Sequence, residues 1–318
     1  MLKTLKTYLG KKRRDFKLLQ FHLKQAKPNH NLAKKRIIMC FNGQVPHGGL
    51  VDRLKGIISF YDVAQQLGYD FFIQFQNPFS LNTFLEPNSI NWTIDESDTG
   101  FSFQNAQLVN VINNFEVNPL ELIKKSSKSI FLVYANVDYL ARLNPSKSTL
   151  DLESIWRSHF NSLFKKSKYL QEALQKVESN SYVSIHTRFT SIMGDFVDST
   201  SKVISANERD LLLKQLKVEV DNIQKTSLAK VYAFSDSTVF LNYISKHTNA
   251  NVLKGVPFHM DSYKGEASIE AHLKTLVDFF MISESEQVYF IKINPMYNSA
   301  FSKYAAIIGD KPFLKVEA

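Results

Sequence analysis

Val183-Ser184-Ile185 is a short β-branched run that breaks into His186, Thr187 and Arg188, then a polar turn holding Gly194 and Asp195. A buried strand that ends in charge and continues through a loop is the building block of an open α/β sheet. Such sheets collect ligands in the crevice at the carboxyl ends of their strands. An Arg there offers a planar fork of donors matched to phosphate oxygens. The alternative for Arg188 is a structural pairing with a carboxylate.

The same grammar recurs. Ile37–Phe41 is strand-like, Asn42–Gly49 is a flexible loop, and Leu50–Leu67 has helical apolar spacing, with Gly68 as a C-cap before the strand Tyr69–Phe75. That is one βαβ unit whose first turn carries Gly48 and Gly49. Glycines allow close backbone approach, and the helix start that follows favours anions. Ser129–Tyr134 is a further strand, and residues 150–177 read as one helix. Ser205 and Glu208 have the capping-box spacing, which starts a helix running to about Gln224. Val231–Phe234 is a strand closed by Ser235, Asp236 and Ser237. A helix over Ile269–Met281 and a strand over Gln287–Ile293 precede Asn298, Ser299, Phe301 and Ser302. A helix over Lys303–Ile308 stopped by Gly309, then a strand over Pro312–Val316, complete the pattern.

Three strand ends of the second half thus carry His186 with Arg188, Ser235 with Asp236, and Asn298 with Ser299 and Ser302. The last group opens a helix and makes an anion site. Arg188 and the serines suit a diphosphate, and Asp236 suits a base or ribose. Ser299 and Ser302 also fit ordinary helix caps, and Asp236 fits a turn former. No His and carboxylate cluster has metal-ligand spacing, so the expectation is a clamp without metal or cofactor. One cysteine, Cys40, excludes an internal disulfide framework and suits a reducing cytosol.

The net charge of +9 is uneven. Residues 1–36 hold 12 Lys or Arg and one acid, Asp15, leaving 27 basic against 29 acidic residues elsewhere, a net of −2. Nucleic-acid binding by the body therefore loses its electrostatic support. Leu2, Leu5, Leu9, Phe16, Leu19, Leu23 and Ala26 form an apolar stripe on a basic helix reaching to Pro28. Residues 1–28 fit an anionic membrane surface, a helix packed on the body, or an acidic partner such as RNA. There is no apolar core of a signal peptide and no run of ~20 apolar residues to span a membrane.

Four motifs carry a resemblance. Gly48-Gly49-Leu-Val-Asp52-Arg53-Leu-Lys-Gly56-Ile resembles the N-terminal glycine loop of the fucosyltransferase superfamily. His186-Thr-Arg188 resembles its H-x-R motif, and Phe234-Ser-Asp236-Ser its second motif. Asn298-Ser299-Ala-Phe301-Ser302 is similar to its third, S-x-F-S. They stand in the family's order across residues 37–316. Two departures are visible: Thr190 and Ser191 stand where H-x-R-x-x-D relatives lead to an Asp, and Val51 stands where many members have Gly.

The resemblance implies an α/β protein of GT-B fold, two Rossmann-like domains with a cleft between them. The expected division is 1–35 basic arm, 36–150 acceptor domain, 151–180 linking helix and 181–318 nucleotide-sugar domain. It implies an inverting, metal-independent transfer from a GDP-sugar, usually GDP-fucose, to a glycan or lipid-linked glycan. Arg188 would grip the β-phosphate, His186 the ribose or phosphates, Asp236 the nucleotide, and Ser299, Phe301 and Ser302 the diphosphate. The base would be Asp195, with Asp52 and Asp198 as rivals. The overall expectation is a bacterial, cytoplasmic enzyme of polysaccharide biosynthesis, peripheral on the inner membrane. The alternatives are another nucleotide sugar, or a non-catalytic sugar- or nucleotide-binding relative.

Overall fold

The structure, a computed structural model, describes residues 2–25, 34–177, 181–196, 202–261 and 268–317. Two compact units divide the chain, Met1–Lys165 and Lys166–Ala318.

In the first unit the elements run α1 (Leu2–Leu23), β1 (Arg36–Phe41), α2 (Leu50–Leu67), β2 (Asp70–Phe75), β3 (Leu85–Pro87) and β4 (Ala106–Asn110). They continue through α3 (Pro119–Lys124), β5 (Ile130–Tyr134), α4 (Leu140–Leu143) and α5 (Thr149–Leu163). Four strands form a parallel sheet in the order β2-β1-β5-β4. The central strands β1 and β5 are almost wholly buried, which is why they read as unbroken apolar runs. Gly68, at φ 67°, closes α2 in the left-handed conformation as its sequence position suggests. The αβ packing is tight at Gly56, where a Cβ would come within 2.4 Å of the Ala135 carbonyl oxygen.

β6 (Phe164–Lys166), which pairs with β3, ends at the division, and the second unit holds α6 (Lys168–Gln175), β7 (Tyr182–Thr187), α7 (Ala206–Thr226), β8 (Lys230–Ser235) and α8 (Thr238–His247). Then come β9 (Asn251–Val252), α9 (Ile269–Glu284), β10 (Val288–Lys292), α10 (Phe301–Gly309) and β11 (Phe313–Glu317). Its five-stranded parallel sheet is ordered β11-β10-β7-β8-β9. The chain lays β8 and β9 on one side of β7 and then returns to lay β10 and β11 on the other. The carboxyl end of β7 is therefore a topological switch point. The expected capping box starts α7, with the Ser205 hydroxyl accepting from Glu208 N and the Glu208 carboxylate accepting from Ser205 N.

The sequence reading of 150–177 as one helix is corrected. α5 stops at Leu163, Phe164 adopts an extended backbone, and α6 restarts under a new N-cap, Ser167, whose side chain accepts from Leu170 N. The extended break puts Phe164 inside, against Trp92 and Phe160. Burying that ring favours a break over a continued helical stripe.

Among the described residues no helix is long and apolar enough to cross a membrane. α1 packs on the first unit. Leu18 is fully buried in the core formed with Ile38, Cys40, Ile130 and Leu132. His22, also fully buried, contacts the Thr99 carbonyl and the Tyr134 hydroxyl, each at 2.7 Å. Asn110 donates to Asp15 at 2.7 Å.

Candidate functional site

The turn after β7 is fixed from its neighbours. Asp236, just past β8, accepts from Phe189 N at 2.8 Å and Thr190 N at 2.7 Å, and from Arg188 Nε at 3.2 Å. These bonds hold Thr190 at φ 56°. On the other side Tyr297 N donates to the Arg188 carbonyl at 3.1 Å. Burial pushes the Asp236 carboxyl upward, and the Arg188 guanidinium and the two N–H donors oppose that. So the two readings of Arg188 coexist. It is paired with a carboxylate, and that pairing aims it.

The guanidinium sits 5.0 Å over the Phe196 ring and lines a pocket at the switch point. His186, Ser235, Asp236, Ser299 and Phe301 line it too, so residues from three separate strand ends converge as the sequence indicated. His186 lies between Phe290 and Phe301, and its Nδ1 is 2.9 Å from the Ser302 hydroxyl. Burial, with the positive Arg188 adding to it, lowers its pKa to about 3. At neutral pH His186 is therefore an uncharged hydrogen-bonding group, and the fixed cation of the pocket is Arg188. Ser302, itself fully buried, holds the ring from the first turn of α10.

The Ser235 hydroxyl accepts from Thr187 at 3.0 Å and from Ser237 N at 3.1 Å, tying β7 and β8 together beneath the pocket. The Ser299 hydroxyl accepts from Phe301 N at 3.2 Å, but the N-cap of α10 is Ala300, so neither Ser299 nor Ser302 is its cap; Ser299 stands on the pocket wall. Asn298 is exposed and does not line the pocket.

Asp195 is placed differently. Its Oδ2 accepts from the Ser237 and Thr238 hydroxyls, both at 3.0 Å, and from Val239 N at 2.7 Å, so it caps α8. Asp198 lies outside the described residues. Gly48, Gly49 and Asp52 belong to the first unit. There Gly48 is at φ 86°, a Cβ on it would meet Asp52 Oδ2 at 2.6 Å, and Asp52 pairs with Lys55 at 3.0 Å. The glycine requirement at 48 is thus already explained within its own loop.

Sequence reasoning missed the other wall, made by Phe196, Pro257, Phe258, Thr275 and Asp278. Asp278 is buried and paired with Lys274 one turn earlier on α9. Burial raises its carboxyl and Lys274 opposes that. The signal was present: a Lys and an Asp four residues apart, flanking the apolar Leu276-Val277 and followed by Phe279-Phe280-Met281, need each other once buried. Among the described residues no three His, Cys, Asp or Glu side chains converge to hold a metal ion.

No family model matches the chain, and no curated protein matches it by sequence. Solved structures match its shape. The crystal structure of NodZ α1,6-fucosyltransferase co-crystallised with GDP superposes with a TM-score of 0.53 at 15% identity, over 86% of this chain and 92% of that one. The same enzyme soaked with GDP-fucose gives 0.52 at 14% identity over the same shares. The fold is fucosyltransferase-like. The α/β, GT-B class that the four motifs implied holds.

Proposed function

We propose that the second unit binds a nucleoside diphosphate sugar, GDP-fucose being the first to test, and that the protein transfers the sugar with inversion to a glycan or lipid-linked glycan. The observation that carries this is the convergence of Arg188, neutral His186 and the first turn of α10 on one pocket at the sheet's switch point. The neighbours in shape were crystallised with GDP and with GDP-fucose.

The chemistry follows from charge. As a glycosidic bond to a diphosphate breaks, negative charge grows on the leaving oxygens. A cation already fixed in place, and a helix N-terminus, interact more strongly with that state than with the ground state. Arg188 meets the requirement because Asp236 orients it before any ligand arrives. His186, being uncharged, supplies hydrogen bonds to ribose or phosphate without adding charge.

A second reading, a nucleotide-binding relative without turnover, draws on one observation. Both carboxylates on the pocket wall are held by cations, Asp236 by Arg188 and Asp278 by Lys274, leaving neither placed as a base. An inverting transferase needs a base at the acceptor hydroxyl, and Asp195 and Asp52 are the carboxylates proposed for it.

A melting-temperature panel with GDP, UDP, CDP, CMP and ADP, each with and without EDTA, tests the ligand class. Nucleotide at a hundredfold its Kd adds about 2.7 kcal/mol, a readable shift. A GDP-selective shift that survives EDTA is expected. A shift with another nucleotide replaces the donor, and no shift with any overturns the proposal. Release of fucose from GDP-fucose, or its transfer, then separates the enzyme from the silent binder.

A further inference from the structure

The face of α1 that docks on the first unit is not the apolar stripe that stands out in the sequence. Leu18 and His22 are fully buried on the inner side, where His22 contacts Thr99 and Tyr134. Phe16 and Leu23, two turns apart on the same side, point away and are 59% and 46% exposed. Phe16 and Leu18 are separated by about 200° of helix rotation, so the docked side of α1, with Leu18, His22 and Asp15, lies opposite the Phe16–Leu23 side.

The surroundings of this outer stripe are cationic. Lys12, Arg13 and Lys24 are all exposed, and the first 36 residues hold 12 of the chain's 39 Lys and Arg. We infer that the outer face of α1 is a docking surface for an anionic lipid membrane. Apolar side chains flanked by Lys and Arg along one helix match the boundary between acyl chains and acidic headgroups. A nucleic acid would use the cations but leave the Phe16–Leu23 stripe in water. The remainder of the chain nets −2 and gives no competing attraction to such a surface. Because the inner face already fixes α1 to the first unit, the helix engages lipid without undocking, and the unit is held at the membrane as one body.

The inference rests on no part of the nucleotide reading, and its test separates the two. The full chain is floated with phosphatidylcholine vesicles, with and without phosphatidylglycerol. Binding is expected only with the anionic lipid and weakens with added salt. Phe16→Ser with Leu23→Ser should lower the partition coefficient at least about tenfold. Arg13→Glu with Lys24→Glu should lower it by about fivefold or more for each residue. Leu228→Ser, at a fully exposed apolar position of the second unit, should leave it unchanged. The melting temperature of the full chain should be unaltered in all three, since none of these side chains is buried. Failure of the full chain to bind phosphatidylglycerol vesicles overturns the inference, as does binding by the Phe16 and Leu23 variant at the original strength. Self-association in gel filtration that this variant abolishes would assign the stripe to a second copy instead, and would also overturn it.

Discussion

Asp195 and Asp236 hold the turn after β7 from its two ends, and they predict different phenotypes. Asp236 orients Arg188, so Arg188→Ala removes the fixed cation of the pocket and should weaken GDP binding about a hundredfold, at 1.5–3 kcal/mol for hydrogen bonds to a charged group. Arg188→Lys should not restore it, because a point charge lacks the fork geometry. Titration calorimetry decides, and unchanged affinity in the Ala variant would remove Arg188 from the site. Asp195→Asn weakens a three-donor cap and takes a negative charge from the N-terminus of α8. The expected result is a loss of about 1 kcal/mol, a drop of about 3 °C in Tm. An abolished turnover at unchanged Tm would instead give Asp195 the base role that its place after the H-x-R motif implies. His186, Arg188, Ser235, Asp236, Ser299, Phe301 and Ser302 were legible because polar groups that end an apolar strand stand out locally. Phe258, Thr275 and Asp278 were not, since a helix face and a loop meet at the pocket only through tertiary packing.

At the scale of elements, strands announced themselves and breaks did not. β1, β5, β7, β8 and β10 each match an apolar run to within a residue or so, because parallel strands buried on both faces need no alternation. α8 follows β8 under Ser237 with only ten residues, too short to show a clear period beside the turn signals at its start. Gly309 was legible as a stop, for a reason the sequence hides. The left-handed residue is Asp310, at φ 54°, whereas Gly309 is needed because a Cβ there would meet the Ser283 carbonyl oxygen at 1.7 Å. Gly56 presents the same physics in the middle of α2. Alanine is the better helix former by about 1 kcal/mol. Its methyl group would nevertheless meet the Ala135 carbonyl at 2.4 Å, and neither the helix nor the strand end can yield cheaply. Gly56→Ala should therefore destabilise, by about 2 kcal/mol net. A urea midpoint that rises would show that α2 is free to shift.

Across the whole molecule, the buried titratable groups are distributed so that acid attacks the two units unequally. His22 and His47 in the first unit and His186 in the second have pKa values lowered to about 4, 3 and 3. Burial is the main cause in each, with Arg53 adding at His47 and Arg188 at His186. A histidine whose folded pKa lies below its unfolded value binds its proton more readily when unfolded. Its contribution to stability is complete above the unfolded pKa of about 6.5 and is lost as pH falls toward the folded value. Between pH 7 and pH 5 each such histidine costs about 2 kcal/mol by this linkage. The first unit carries two of them. It also holds Asp62, where burial is outweighed by bonds from His159, Asn144 and Gln66, so that its pKa is lowered and its contribution too is lost in acid. In the second unit His186 shares this shift, but the buried Asp236 and Asp278 are shifted upward, which stabilises the folded state as pH falls. The sum has a clear direction. On acidification from pH 7 to pH 5 the first unit should lose about 4 kcal/mol from its histidines, a large share of a domain's 5–15 kcal/mol, and should open first. Amide hydrogen exchange across that range reads this unit by unit, through β1 and β5 against β7 and β8. Earlier loss of protection in β7 and β8 would mean that His22 and His47 take up protons in the folded state, and that their burial is less complete than their packing against Tyr134 implies.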